Sequence, residues 1–559
     1  MKKILPLGAL LLCLSWTASA QNATVVVEKP LVRWLFGGFG FQHSEANFEA
    51  LMTEEFRDQR VLKTFAEISP TFGRVYTGFA DQSRDQMDRF ASYYHRTFAR
   101  AGTILYTVPC GLTYRVDDTT VVSAAEYAQR VADKLNYLIK EKECRKIRYY
   151  CLSNELMTGD RWGWMAPEGR MELFKHWNIA LYNAFKQHQL NLLLIGSDRS
   201  GGPNIIDTQR WVARHMDEWM GAYVTHWYVY GERVDDLSLW EKYRKYFKEN
   251  VAIATSKSKR YILGEFGFCP VYGKRGVMVD DLGFALRQPE TAALSALCKC
   301  ELGLAAMNEG AYGCISWSFV DYPEPFCYED GNTPQEHAAY EAGLCAYKPD
   351  FKYNKWGMFH WNDIDRDYSA TPELYCLGYM AKLFHKNATV LVCSPSDSLL
   401  RVGAVLNRDR SFTIALINRG ESTEVEIDCS SWSDGMEAFD KPFRQYLYEA
   451  DRPPVNAFND LQPHSGLAEA HGGKLRVRLP ARSMTFLTTD YQDRNPEKVS
   501  GVKFSDGVLT WKPVSDPHHR YYRVYADGKQ IASTVATHLA VNDSRKKYTV
   551  KSVDAWGNL

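Results

Sequence analysis

Two glutamates stand out by their surroundings. Glu155 closes the run Leu152-Ser153-Asn154-Glu155, and Glu265 closes Tyr261-Ile262-Leu263-Gly264-Glu265. Each follows an apolar core, which places it at the end of a buried strand, where an unused charge costs desolvation energy without return. The two positions lie 110 residues apart, so only tertiary structure can bring them together. Facing each other across a groove, two such carboxyls suit cleavage of a glycosidic bond. One protonates the departing oxygen while the other attacks the anomeric carbon or directs water at it.

The elements that would position them are legible as an alternation of short apolar runs with amphipathic stretches. The strand candidates are Trp34–Gly38, Thr71–Tyr76, Thr103–Val108, Arg148–Ser153, Leu192–Ser197, Ala222–Tyr228, Tyr261–Phe266 and Gly313–Phe319. Between them lie stretches such as Ala124–Lys142, with Ala125, Tyr127, Val131, Leu135 and Leu138 at helical spacing. Eight strands separated by helices predict a (β/α)8 TIM barrel over residues 21–390, with Glu155 ending the fourth strand and Glu265 the seventh. Such barrels carry their chemistry at the strand C-termini. No glycine-rich phosphate loop follows the first strand, which argues against nucleotide binding.

Near residue 390 the pattern changes to strands that alternate apolar and polar residues. Leu399–Leu406, Ser411–Asn418, Thr423–Asp428, Phe443–Glu449, Lys474–Leu479 and Ser483–Thr489 predict an all-β sandwich over 391–491. After the polar segment Gln492–Lys498, a second all-β unit over 499–559 is predicted from Val508–Thr510, Tyr521–Tyr525, the Asp527-Gly528 turn and Tyr548–Val553. Joined through a polar segment, this last unit is expected to be the separable one.

With Asn154-Glu155 ending strand four and Gly264-Glu265 ending strand seven, the chain resembles the retaining clan A glycoside hydrolases. The likeness extends to Leu374–Phe384, which is similar to their last barrel helix. The sandwich resembles an immunoglobulin-like domain and the last unit a fibronectin type III module. The resemblance implies Glu155 as acid/base, Glu265 as nucleophile and Asn154 as the residue bonding the sugar 2-hydroxyl. It further implies that Tyr228, beside His226 at the end of strand six, hydrogen-bonds the nucleophile. Arg74, ending strand two, is a candidate to keep Glu265 ionised. Trp317, ending strand eight, and Trp162 and Trp164, in the loop after Glu155, are candidate sugar platforms. Asp198, Arg199 and Asp321 are exposed polar candidates of lower rank. The acid is expected to have a raised pKa, from burial and from the charge of Glu265.

Composition narrows the partners. Lys+Arg and Asp+Glu balance at 67 each, without the basic excess of a nucleic-acid binder, while 15 Trp, 33 Tyr and 27 Phe supply rings for ligand stacking. Residues 1–20 read as an export signal: Lys2 and Lys3, the apolar run Ile4–Leu14, then Ala18-Ser19-Ala20. Its removal would leave 12 cysteines, most within apolar runs, as buried thiols are. No transmembrane segment follows. No histidine set has metal-site spacing, so neither metal nor other cofactor is expected. The order of domains resembles that of exported β-1,3-glucanases, which implies an endo-acting enzyme on a neutral, laminarin-type β-glucan. The alternatives are an exo-acting β-galactosidase, β-xylosidase or β-glucosidase, and a non-catalytic glycan-binding protein, which has no use for the paired glutamates.

Overall fold

The computed structural model describes residues 23–30, 34–77, 82–108, 122–155, 167–200, 205–230, 234–269, 289–324, 352–354, 357–363, 366–433 and 439–559. Eight parallel strands close into a barrel in the order Gly38–Gln42, Phe72–Tyr76, Ile104–Val108, Ile147–Cys151, Leu193–Arg199, Met220–Tyr230, Arg260–Cys269 and Gly313–Ser316. Several, such as Phe72–Tyr76 and Ile104–Val108, are buried at every position, as befits a sheet covered by helices outside and filled by side chains within. Phe72, Tyr106, Tyr149, Ile195, Val224 and Ile315 are among the residues that fill the lumen. The stretch expected as one helix over 124–142 is the α-helix Ala124–Asn136 continued by a π turn, Tyr137–Glu141.

The first barrel strand is Gly38–Gln42, and not the predicted Trp34–Gly38. Leu35–Phe36 pairs instead with Ala388–Val390 at the edge of the sandwich. Glycine lets the observed strand pack closely: a Cβ on Gly40 would lie 1.6 Å from the carbonyl oxygen of Phe72 on the neighbouring strand. Ala23–Glu28, expected in the barrel unit, also belongs elsewhere. It pairs with Val392–Pro395 and Thr423–Asp428. Its burial alternates, with Ala23, Val25 and Val27 inside, and a strand with one wet face fits a sandwich rather than a helix-covered barrel.

The sandwich stacks a seven-stranded sheet, whose centre is Phe443–Glu449, Ser483–Thr488, Phe412–Asn418 and Leu400–Leu406, against the four-stranded sheet that contains Ala23–Glu28. The last unit has two three-stranded sheets, one containing His519–Ala526 between Lys529–Thr534 and Tyr548–Asp554. Its own core is small, built on Leu509, Trp511, Tyr522 and Val524.

The last unit is not a loosely joined spacer. Lys63, fully buried on the barrel helix Leu62–Ile68, donates to Glu67 at 3.0 Å and to the Asn459 carbonyl at 2.7 Å, and lies 3.1 Å from Asp460. Asp460 accepts in turn from Arg523 Nε (2.9 Å) and Ser533 Oγ (3.0 Å), and Tyr521 Oη donates to Glu67 at 3.1 Å. One buried ionic network thus ties barrel, sandwich loop and last unit. Truncation after Tyr491 removes Tyr521 and Arg523 and strands the charges that remain, contrary to the sequence expectation. Arg523→Ala should cost about 3 kcal/mol of stability in chemical denaturation, since breaking a buried pair leaves a charge uncompensated. The chain ending at Tyr491 should unfold at a lower temperature than the full chain in differential scanning calorimetry.

Candidate active site

Strands one, two, four, five, six and seven deliver polar side chains to one end of the barrel. Arg74, in the middle of strand two rather than at its end, is fully buried, with its guanidinium across the mouth. Its NH1 lies 2.6 Å from Glu265 Oε1 and donates to Gln42 Oε1 at 2.7 Å. Its NH2 donates to Asn154 Oδ1 at 2.6 Å and reaches Asp198 Oδ2 at 3.4 Å. Burial works against the guanidinium charge, but Glu265, Tyr106 and Asp198 more than compensate and raise its pKa.

Glu265 sits on strand seven, only 3% exposed. Its other oxygen accepts from Tyr228 Oη at 2.5 Å. Gly264 beside it allows close strand packing: a Cβ there would lie 2.4 Å from Val224 Cγ2 and 3.3 Å from both Asp198 Oδ1 and His226 Cδ2. Burial pushes the Glu265 carboxyl up, against the pull of Arg74 and His226, and its pKa is raised.

Glu155 follows strand four in the left-handed region, φ 51°, which a non-glycine residue holds only where its surroundings fix it. Its N–H donates to Asp198 Oδ2 at 3.3 Å, and its carboxylate faces His226 Nδ1 at 3.2 Å. The expected raised pKa is not what this free site provides. Burial pushes the Glu155 carboxyl up, but the hydrogen bond and charge of His226, with a further bond from Ser200, outweigh it and hold the pKa below its ordinary value.

His226 is the hinge of this arrangement. It is fully buried, with Nε2 2.9 Å from Asp198 Oδ1 and Nδ1 3.4 Å from Glu265 Oε2 as well as near Glu155. Burial opposes its charge, yet the carboxylates around it push its pKa up to about 10. Glu155, His226 and Glu265 each offer an atom within 4.8 Å of the others, a metal-sized cluster that sequence spacing did not suggest, because its members come from three strands.

Asp198, ranked low and expected exposed, is wholly buried at the centre of the cluster and also accepts from Tyr106 Oη. Its strand runs on into the mouth, so the residue that looks like the start of a loop is inside. Asp321 is buried too, but it accepts from Gly357 N and lies against His360 Nδ1, each at 2.7 Å, and so braces the chain beyond strand eight. Arg199 is half-buried near Glu155, whose charge opposes the lowering of its pKa by burial. Trp317 is half-buried, edge-on to Tyr76 with ring centroids 6.4 Å apart. Its carbonyl accepts from Lys299 Nζ at 2.7 Å, and Lys299 is itself paired with Glu373 at 2.9 Å. Trp162 and Trp164 lie outside the described residues. Sequence reasoning missed Gln42, Tyr106, Ser200 and Lys299. Gln42 ends strand one, and correct placement of that strand would have exposed it; Tyr106 looks like any core aromatic.

No protein-family model and no curated protein matches the chain. Solved structures do resemble it in fold. A family 51 α-L-arabinofuranosidase from Bifidobacterium longum aligns with TM-score 0.56 and 14% identity over 84% of this chain and 99% of its own. The catalytic domain of a GH30 xylanase C from Talaromyces cellulolyticus aligns with TM-score 0.53 and 15% identity over 83% and 99%. A conserved exported protein from Bacteroides fragilis aligns with TM-score 0.53 and 12% identity over 83% and 100%. At these identities the likeness is one of fold: a (β/α)8 barrel followed by all-β structure.

Proposed function

We propose that this chain is an exported retaining β-glycoside hydrolase, with Glu265 as nucleophile and Glu155 as acid/base. The observation that carries the reading is the approach of Glu155 and Glu265 to within 4.8 Å between carboxylate oxygens, from strands four and seven, in a polar barrel mouth. Retaining enzymes hold their carboxyls about 5–5.5 Å apart, whereas inverting ones leave room for a water at about 6.5–9.5 Å. A non-catalytic glycan binder would have no need to hold two carboxylates this close.

In the reaction, Glu265 Oε1 is fixed by Arg74 and Oε2 by Tyr228, so the carboxylate is aimed before substrate arrives. It attacks the anomeric carbon while Glu155 gives its proton to the departing oxygen; Glu155 then takes a proton from water as that water releases the sugar from Glu265. Asn154 spends its carbonyl on Arg74, which turns its amide nitrogen into the donor for the sugar 2-hydroxyl. Trp317 offers a face for the sugar beside the cleavage point. Arg74 and His226 balance two of the three carboxylates Asp198, Glu155 and Glu265, so one proton shared by the two glutamates makes the group formally neutral. That singly protonated state is the reactive one. Burial raises the Glu265 carboxyl and His226 lowers that of Glu155, so the two glutamates titrate as a coupled pair.

The substrate we propose is a neutral glycan, with laminarin-type β-1,3-glucan acted on internally as the first choice. Arg74 is committed to carboxylates, and among the described residues of the mouth only Arg199 adds a further arginine, already beside Glu155. Xylan and arabinofuranosides form the second choice, favoured by the xylanase and arabinofuranosidase names of the fold neighbours. Product analysis on laminarin, xylan, arabinan and aryl β-glycosides distinguishes them, and release of no sugar from any would refute the hydrolase reading.

Glu265→Ala should abolish turnover. Glu155→Ala should lose about 10²–10⁴-fold on substrates whose leaving group needs a proton, yet keep activity on dinitrophenyl glycosides, whose leaving group needs none. Wild-type rates in both variants would place the site elsewhere. The pH profile of kcat/KM should be a bell. Below its acid limb both glutamates are protonated and no nucleophile exists; above its alkaline limb both are ionised and no acid exists. With one pKa lowered and the other raised, the limbs should fall on either side of the ordinary glutamate value, and a profile with one limb would count against the pair.

A further inference from the structure

The mouth holds one carboxylate that the proposed reaction does not consume. Asp198 Oδ1 accepts from Tyr106 Oη and lies 2.9 Å from His226 Nε2, while Oδ2 accepts from the Glu155 N–H at 3.3 Å and faces Arg74 NH2 at 3.4 Å. Four partners from strands two, three and six and the end of strand four thus converge on one side chain with no solvent exposure. Asp198 and Glu155 both have left-handed backbones, φ 55° and 51°, so each holds a conformation that its neighbours must stabilise. Ser200, two residues on, also bonds the Glu155 carboxylate.

We propose that Asp198 is the positioning residue of the acid: it fixes the Glu155 backbone through one oxygen and turns the His226 ring through the other, so that an N–H points at the Glu155 carboxyl. This rests on the reading of Glu155 as acid, but the geometry it describes does not depend on turnover. The charged and titratable groups facing Asp198 are Arg74, Tyr106, Cys151 and His226, with Glu265 and Glu155 beyond. Burial would raise its pKa, but the charges of His226 and Arg74 outweigh burial and hold it at about 2. As the first of the carboxylates that charge His226, it links the ionisation of the histidine to the aim of the acid.

The test is Asp198→Asn, which keeps the shape and removes the charge. Its loss of kcat should be at least about tenfold greater on alkyl glycosides or oligosaccharides than on dinitrophenyl glycosides, because only the former need the acid. In ring-nitrogen NMR the His226 midpoint, which the surrounding carboxylates raise in the wild type, should fall by more than one unit. Equal losses on both substrate classes, or an unmoved His226 midpoint, would overturn the proposal. If Asp198→Asn does not fold, the wild-type spectrum decides: two protonated ring nitrogens at pH 8 support the proposal, and a neutral ring overturns it. If the wild type cleaves no glycoside, the hydrolase reading fails alone, and the His226 midpoint in the two proteins still judges Asp198.

Discussion

Charges removed from water must compensate one another, and the barrel mouth is organised around that requirement. Arg74, Asp198, His226 and Glu265 are almost wholly buried, and each would be costly there alone. Their contacts, 2.6 Å from Arg74 to Glu265 and 2.9 Å from His226 to Asp198, turn four separate penalties into one mutually bonded group. Every member therefore constrains the others. The nucleophile candidate is fixed because Arg74 is fixed, and Arg74 is fixed because Gln42 accepts from its NH1 and Asn154 and Asp198 accept from its NH2. Such a group is selective as well as stable, since it tolerates few other arrangements of the six strands that supply it.

The rest of the molecule holds that group still. Glycines at 40 and 264 let strands approach where a methyl group would collide. Outside, the barrel helix Leu62–Ile68 carries Lys63 and Glu67 into the ionic network shared with Asp460, Tyr521 and Arg523, so the last unit buttresses the barrel wall. Helix Pro289–Asn308 does the same for strand eight through Lys299, which bonds the carbonyl of Trp317, and for the sandwich through Glu301, paired with Arg401 at 3.2 Å and Arg419 at 2.5 Å. The accessory β units are thus joined to the barrel by buried ion pairs as well as apolar faces, and this explains why a polar connecting segment in the sequence did not mean a loose joint. The cysteines follow the same division: Cys144, Cys151, Cys298, Cys300, Cys314, Cys376 and Cys429 are buried free thiols, and Cys393 is a partly buried one.

The sequence by itself determined the architecture of the barrel and the identity of two carboxylates in it. Apolar runs at regular spacing specify strands locally, and a glutamate placed directly after such a run is visible because it violates the burial rule that the run obeys. Sandwich strands such as Thr423–Asp428, Phe443–Glu449 and Lys474–Leu479 were read to the residue, because alternation with period two needs only local information. Tertiary structure decided the rest. Ala23–Glu28 and Leu35–Phe36 joined the sandwich because strand partners are chosen by fit across hundreds of residues. Asp198 moved from an exposed candidate to the centre of the site, since burial of a strand end depends on what surrounds it. The sense of the Glu155 pKa shift was reversed by His226, 71 residues away in the chain but 3.2 Å away in space. Ionisation responds to distance through space, which a one-dimensional pattern does not contain.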